Sequence, residues 1–337
     1  MEKYWKKLIL FALLLSATVF LGKGNVKAAT IIDSGSCGEN ATYTLDSDGV
    51  LTISGSGEIS DSAFAAAYYN ASKAYENVEK IETVIIGDGI TRIGDSAFAG
   101  CSNLKSALIP EGVTEIGGYS FRGCGLTDIT IPESTTTIGQ YAFYECGKIE
   151  SLYIPKNVMH IETGAFSNVE KSITVADDNI TFNSNNNCNA IIETATNRLI
   201  IGCGATVIPS NVTKIKPYAF SECESLTSIV LPEGVTSIGF CAFLDCSGLT
   251  SITISEEVMS IESAAFEGCS RLTSITIPEG VTSIESGTFK GCSGLTSITI
   301  PDRVTSIGGW AFYDCSRLTS VTIPDGVTSI GRSEERR

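Results

Sequence analysis

Apolar and polar positions along this chain follow one order again and again: an alternating run, a proline, a second short apolar pair, then an Ala-Phe step that ends on cysteine. In one unit Leu295, Ile298 and Ile300 finish on an alternation of apolar and polar residues, the period of a strand with one buried face. Pro301 ends that strand because it has no N–H to give to a ladder. Val304 and Ile307 mark a second short extended run, and the segment from Trp310 through Ala311 and Phe312 to Cys315 is long enough for one helical turn.

The order is periodic. Phe98, Phe121, Phe143, Phe166, Phe220, Phe243, Phe266, Phe289 and Phe312 are spaced by 23, 22, 23, 54, 23, 23, 23 and 23 residues. The prolines keep the same beat, with Ser255 standing in once. A single 23-residue unit cannot bury its own apolar side, so units must stack, each covering the next. The fold class predicted is a repeat solenoid, mostly β with short helical turns. It has about ten rungs, roughly 4.8 Å apart where strands pair. Residues 81–331 form the coil. In front of it, residues 36–59 hold two strand-like runs around Asp46-Ser47-Asp48-Gly49, a hairpin turn. Residues 29–80 are therefore predicted to cap the first rung, with a short helix over 63–78 joining cap to coil.

The unit "LTSITIPEGVTSIESGTFKGC", Leu272 to Cys292, and its copies resemble the bacterial BspA-like, or LRR_5-type, leucine-rich repeats. That resemblance implies a curved, right-handed leucine-rich-repeat coil with a parallel sheet. It also implies a cell-surface role in adhesion or protein binding.

The 54-residue gap holds 31 residues beyond one repeat, an irregular insertion over 170–205 with an Asn-rich stretch and a hairpin signal. If Glu193 pairs with Arg198, Ile191 faces Ile200 and Cys188 faces Cys203, so this pair is the candidate disulfide, against two thiols sharing the same core. Asp177, Asp178, Asn179 and the asparagines of 183–189 lack the ligand spacing of a calcium loop, and no metal is expected.

Cys101, Cys124, Cys146, Cys223, Cys246, Cys269, Cys292 and Cys315 each lie three residues after a repeat phenylalanine. One thiol per rung makes no C-x-x-C cluster, and equivalent parallel positions offer no unique pairing. They read as a buried ladder of small, free hydrophobes beside the phenylalanine ladder. So many reduced thiols in an exported chain suit an anoxic habitat.

Composition and charge narrow the function. Residues 1–28 read as a secretory signal, with Lys3, Lys6 and Lys7, an apolar run from Leu8 to Leu21 and small residues at Val26 and Ala28. Removing that segment, with its five lysines and one glutamate, takes the formal charge from −15 to −19. Such a surface repels phosphate backbones and anionic lipid, so nucleic acid is not an expected partner, nor is membrane insertion of the processed chain. A secreted or extracellular cell-surface location follows. The last repeat stops after Gly331 and leaves a charged tail, 332–337, which reads as a truncation and leaves an uncapped rung open to self-association.

There is one histidine, His160, in a slot that other repeats fill with serine, and no phosphate-binding loop follows a strand. No catalytic residues, no cofactor and no enzymatic activity are predicted. Recognition is expected on the strand face opposite the core: Leu108, Thr130, Tyr153, Val230, Thr253, Thr276, Thr299 and Thr322, each two residues after a serine or, for Thr130, after Asp128. Tyr153 is the aromatic anchor there, and Trp310, with Tyr119, Tyr141 and Tyr218, the anchor on the turn side. Against that stands the reading in which these threonines and aromatics only satisfy local propensity and cover core. The partner expected is an extracellular protein or glycan. A structural surface spacer, a sugar-binding module and an ice-ordering threonine array are the other readings.

Overall fold

The structure, a computed structural model, describes residues 29–66 and 75–332. The predicted signal segment, the middle of the predicted linking helix (67–74) and all but the first residue of the tail lie outside the described residues. The chain winds as a β-solenoid with almost no helix, and most repeats add one short strand to each of two parallel faces; the segments around Ile129 and Val321 follow the same path without forming a strand. Ser228–Val230 pairs with Ser251–Thr253, and Ser274–Thr276 with Ser297–Thr299, each in parallel register. The two-residue strands Lys214–Ile215, Ser237–Ile238 and Ser260–Ile261 pair likewise on the second sheet. Between the sheets the proline turn closes on an apolar residue: Val235 N–H donates to Pro232 C=O (3.0 Å) and the Val235 side chain is fully buried.

The first rung is seeded by one long strand. Val50–Ile59 pairs antiparallel with Asn40–Asp46, then parallel with Thr83–Ile86 through its first half and with Ile90–Ile93 through its second, so it starts both sheets at once. At the hairpin turn Asp46 Oδ1 accepts from the N–H groups of Asp48 and Val50. Asp33 ties the chain after 74 to the outer strand by accepting from Tyr75 Oη (2.6 Å), Asn77 Nδ2 (3.1 Å) and Tyr43 Oη (3.2 Å).

The corner after the second strand is turned, but not by a helix. Cys241 (φ 53°) and Asp245 (φ 55°), two residues either side of Phe243, are left-handed, and the equivalent pairs recur at Tyr119 and Gly123, Tyr141 and Glu145, and Trp310 and Asp314. Left-handed residues cannot propagate a right-handed helix. Instead they aim alternate N–H groups at the next rung: Cys241, Phe243 and Asp245 donate to Ser263, Ala265 and Glu267 at 3.1, 2.8 and 2.7 Å. The inter-rung ladder therefore runs through the corner as well as through the sheets.

Inside the corner the phenylalanine rings stack. Phe98 on Phe121, Phe121 on Phe143 and Phe143 on Phe166 have centroids 5.1–5.2 Å apart, and Phe220, Phe243, Phe266, Phe289 and Phe312 form a second stack at 5.0–5.7 Å. Phe64 of the cap stacks on Phe98 at 5.4 Å and opens the first column. The cysteines do more than fill space. Each thiol reaches a carbonyl of the preceding rung: Cys124 Sγ to Phe98 O (3.2 Å), Cys246 Sγ to Phe220 O (3.0 Å), Cys269 Sγ to Phe243 O (3.2 Å) and Cys315 Sγ to Phe289 O (3.1 Å). Burial pushes these thiols up, Cys146 and Cys223 to about 12 and Cys315 to about 11.

The insertion splits the solenoid. Ser172-Ile173-Thr174 begins a normal rung by pairing with Ser151, Leu152 and Tyr153. Asn179 then takes the slot that Val158 fills one rung earlier, its Nδ2 donating to Pro155 O (2.8 Å) and Val158 O (3.0 Å) while its Oδ1 accepts from Thr181 and Phe182 N–H. Its amide is consumed as a turn closure. The chain leaves the coil into antiparallel strands, Phe182–Asn183, Ala190–Glu193 and Arg198–Gly202, and re-enters when the last of these pairs in parallel with Lys214–Ile215. Gly202 N–H donates to Ala219 O (2.8 Å), the bond a ladder phenylalanine makes elsewhere, and a Cβ there would sit 2.1 Å from the Phe220 ring. The apolar core accordingly divides into two clusters at this joint. Glu193 does oppose Arg198, but a bulge between Ile191 and Ile192 pairs Ile191 with Ile201. The expected register of Cys188 against Cys203 therefore does not form, and both thiols are free.

The turns of the two halves meet through Glu222, which accepts from Ser167 Oγ at 2.9 Å. Burial, reinforced by the negative field of Glu145 and Asp245, raises its carboxyl above the usual range.

Three outcomes follow from this packing. Phe243→Ala, which opens a hole in the middle of a stack, is expected to cost about 3–5 kcal/mol in urea unfolding. The ladder thiols are expected to react with Ellman's reagent only in denaturant, where all twelve cysteines titrate; rapid labelling of the native chain would contradict the buried ladder. A raised carboxyl stabilises the fold fully only below its unfolded value and loses that contribution as pH rises through the folded one. Glu222→Gln is therefore expected to raise Tm at pH 7 and to have no such effect at pH 4.

Candidate recognition surfaces

Three columns of small polar residues run along the solenoid, and their hydrogen bonds tell them apart. In the column before the second strand, Thr114, Thr136, Thr236, Thr305 and Thr328 each donate Oγ1 to the backbone carbonyl of the threonine one rung earlier, at 3.1–3.2 Å. In the column before the first strand, Thr250 and Thr296 do the same to Thr227 and Thr273. Those hydroxyls are part of the ladder. The third column, the strand face itself, points away from the core: Ile229, Ile252 and Ile275 are buried while their neighbours on either side are exposed.

On that face Val230 stands beside Thr253 and Thr276 beside Thr299 in register. Val230 is 63% exposed and Tyr153 37%. Thr130, Thr253, Thr276, Thr299 and Thr322 are exposed, and Leu108, beside Ile85, is half-buried. Thr174 joins the column opposite Tyr153. It lies inside the insertion, where the broken period hid it, although Ser172-Ile173-Thr174 repeats the strand motif.

On the corner side the structure brings together three of the four aromatics named as anchors. Tyr119 and Tyr141 lie 5.2 Å apart, Tyr141 and Tyr218 5.1 Å, and Tyr218 and Phe240 5.5 Å. Tyr141 reaches Tyr218 across the joint because the position between them is Gly164 (φ 65°), where a Cβ would come within 2.4 Å of the Tyr141 ring. Tyr144 closes the same gap with its hydroxyl 3.3 Å from Ser221 Oγ. Arg122 lies over Tyr119 and Tyr144 at 5.9 and 5.6 Å while bonding both carboxylate oxygens of Glu145. Trp310, 45% exposed, is in the same column but separated from the stripe by Ala264 and Gly287. His160 is exposed on the edge of the second sheet, paired through its strand with Thr137.

Among the described residues no group of three or more histidine, cysteine, aspartate or glutamate side chains is placed to hold a metal ion, and no helix is long and apolar enough to cross a membrane.

Comparison with known proteins agrees with this architecture. The BspA type leucine rich repeat region matches in six copies over residues 70–192 and 204–294, so the unmatched stretch between them, 193–203, falls on the hairpin turn and the strand Arg198–Gly202. No curated protein matches the chain. A leucine-rich repeat protein from Eubacterium ventriosum is 27% identical with a TM-score of 0.65, over 89% of this chain and 93% of its own. A leucine rich cell surface protein from Faecalibacterium prausnitzii is 26% identical with a TM-score of 0.56, over 90% and 96%. The pneumococcal vaccine antigen PcpA, 18% identical over 90% of this chain and 95% of its own with a TM-score of 0.58, shares the fold. With its 23-residue rungs, its phenylalanine and cysteine ladders and this match over most of its length, the chain belongs to the BspA-type leucine-rich repeat family.

Proposed function

We propose that the chain is a non-enzymatic recognition protein of the bacterial surface or its surroundings, and that the exposed strand face binds an extracellular protein. The observation that carries this reading is the strand column itself. Its neighbouring threonine columns are committed to the ladder, whereas this one turns its side chains away from the core to solvent and carries an aromatic and an aliphatic, Tyr153 and Val230, among short hydroxyls. Paired parallel strands hold Tyr153 and Val230, on either side of the insertion, in fixed directions and so lower the ordering cost at binding, and a tyrosine in a hydroxyl setting is a common interface anchor. The family and the likeness to the cell surface protein of Faecalibacterium prausnitzii support the extracellular setting.

The test is surface plasmon resonance of residues 29–337 against a panel of purified extracellular proteins. Saturable binding to at least one is expected, weakened at least tenfold in the double variant Tyr153→Ala, Val230→Ser, a loss of about 1.4 kcal/mol or more. Binding that the double variant leaves unchanged would remove the strand face from the mechanism.

A further inference from the structure

The insertion takes one strand out of the second sheet and nothing among the described residues replaces it. His160–Ile161 pairs with Thr137–Ile138 and is the last strand of its sheet, while the next strand in line, Arg198–Gly202, belongs to the sheet of the second half. One rung earlier Ile138 C=O accepts from Glu162 N–H (3.0 Å), and beyond the joint Leu199 C=O accepts from Lys216 N–H (2.9 Å). Ile161 C=O has no such donor among the described residues. The same holds on the corner: Tyr141 N–H donates to Thr163 O and Tyr218 N–H to Phe240 O, but Gly164 N–H meets no backbone acceptor among the described residues.

A groove of about 270 Å³ opens at this place, with Ile161, Glu162 and Gly164 on one wall and Ile200, Lys216 and Pro217 on the other. Ile161 is half-exposed there, whereas its counterparts Ile138 and Ile215 are buried. A second break in this sheet, between Ser260–Ile261 and Ser283–Ile284, leaves no such opening, since Ile261 stays buried.

We propose that this gap is a docking slot for an extended peptide, which enters as the missing parallel strand. Unpaired edge groups of a sheet are a template for strand addition, with main-chain bonds supplying affinity and alternate side chains supplying selectivity. The peptide donates one N–H to Ile161 C=O, accepts from Gly164 N–H, and lays a β-branched aliphatic side chain on Ile161. The residue after that aliphatic is basic, because it stands one strand spacing, about 4.8 Å, from Glu162 and twice that from Lys216. Glu162 is exposed and has no ion-pair partner among the described residues; its Oε2 accepts from Gln140 N–H. The slot is separate from the strand face proposed above as the recognition surface.

The probe is a fluorescent peptide with this chain's own sequence over 211–219, NVTKIKPYA, in which the isoleucine is followed by lysine. Fluorescence anisotropy with residues 29–337 is expected to show binding at least tenfold tighter than to a scrambled peptide. Methylating the backbone nitrogen of the lysine that follows the isoleucine removes the bond to Ile161 and is expected to weaken binding about tenfold. Glu162→Lys is expected to weaken it by a similar factor, and Tyr153→Ala to leave it intact, so that the two surfaces fail independently. No preference over the scrambled peptide, or equal binding of the methylated one, overturns the proposal on the unaltered protein. Loss with the methylated peptide but not with Glu162→Lys puts the peptide on another sheet edge, such as that beyond Ser329–Ile330, and overturns it as well.

Discussion

One constraint shapes the whole molecule: a rung cannot satisfy its own backbone. With short strands, most of two or three residues, and corners built on left-handed residues, each turn of chain sends its N–H groups to neighbouring turns, in the sheets and at the corner alike. A buried amide without a partner costs on the order of 1–3 kcal/mol, so a rung whose strands and corner fell out of register with the next would be penalised at many positions together. The period of 23 residues, 22 from Phe121 to Phe143, brings strand, proline turn, strand and corner back into register. The phenylalanine stack and the cysteine thiols occupy the interior of that corner. Thiol to carbonyl contacts of 3.0–3.4 Å give cysteine a reason to recur where alanine or serine would lose either the contact or the apolar fit.

The parts of this architecture that depend on side-chain period were legible in the sequence, and the parts that depend on backbone conformation were not. The phenylalanine and cysteine columns, the buried isoleucines and the outward threonines all follow from spacing alone. The corner does not: Tyr141, Cys241 and Trp310 are poor left-handed residues, and only the ladder they serve explains their conformation. Phe64 was missed because it lies 34 residues before Phe98 rather than 23, the difference being the segment that links cap to coil. Thr174 was missed because its rung loses the phenylalanine that marks the others. In the hairpin the charge pair Glu193 and Arg198 was placed correctly, but one extra residue, Ile200, slipped the register beyond it, and no pattern of charge or hydropathy announces a bulge.

The joint shows how a solenoid admits an interruption. A rung can be left unfinished only if something closes its turn and something makes room for the next ring. Asn179 does the first by standing in for a valine and bonding the two carbonyls of the turn beneath it. Gly202 does the second by occupying a phenylalanine position without a side chain. The corner side of the joint is then bridged by Tyr141 over Gly164 and by the Tyr144 hydroxyl, so the two halves of the core are separate but joined along the corner.

This division bears on where recognition can reside. In an uninterrupted stretch of the coil almost every column is spoken for: isoleucine, phenylalanine and cysteine by the core, two threonine columns by the ladder, and the corner amides by the next rung. Substitution in any of these disturbs several rungs, because each column is shared. Two kinds of surface escape that commitment: the outward column of the strand face, where side chains vary from Thr to Val to Tyr without disturbing the pairing beneath them, and the joint, where the ladder itself is open. A repeat protein that must change its partner while keeping its fold can therefore vary the first residue by residue, and the second only by keeping an insertion that withholds a strand.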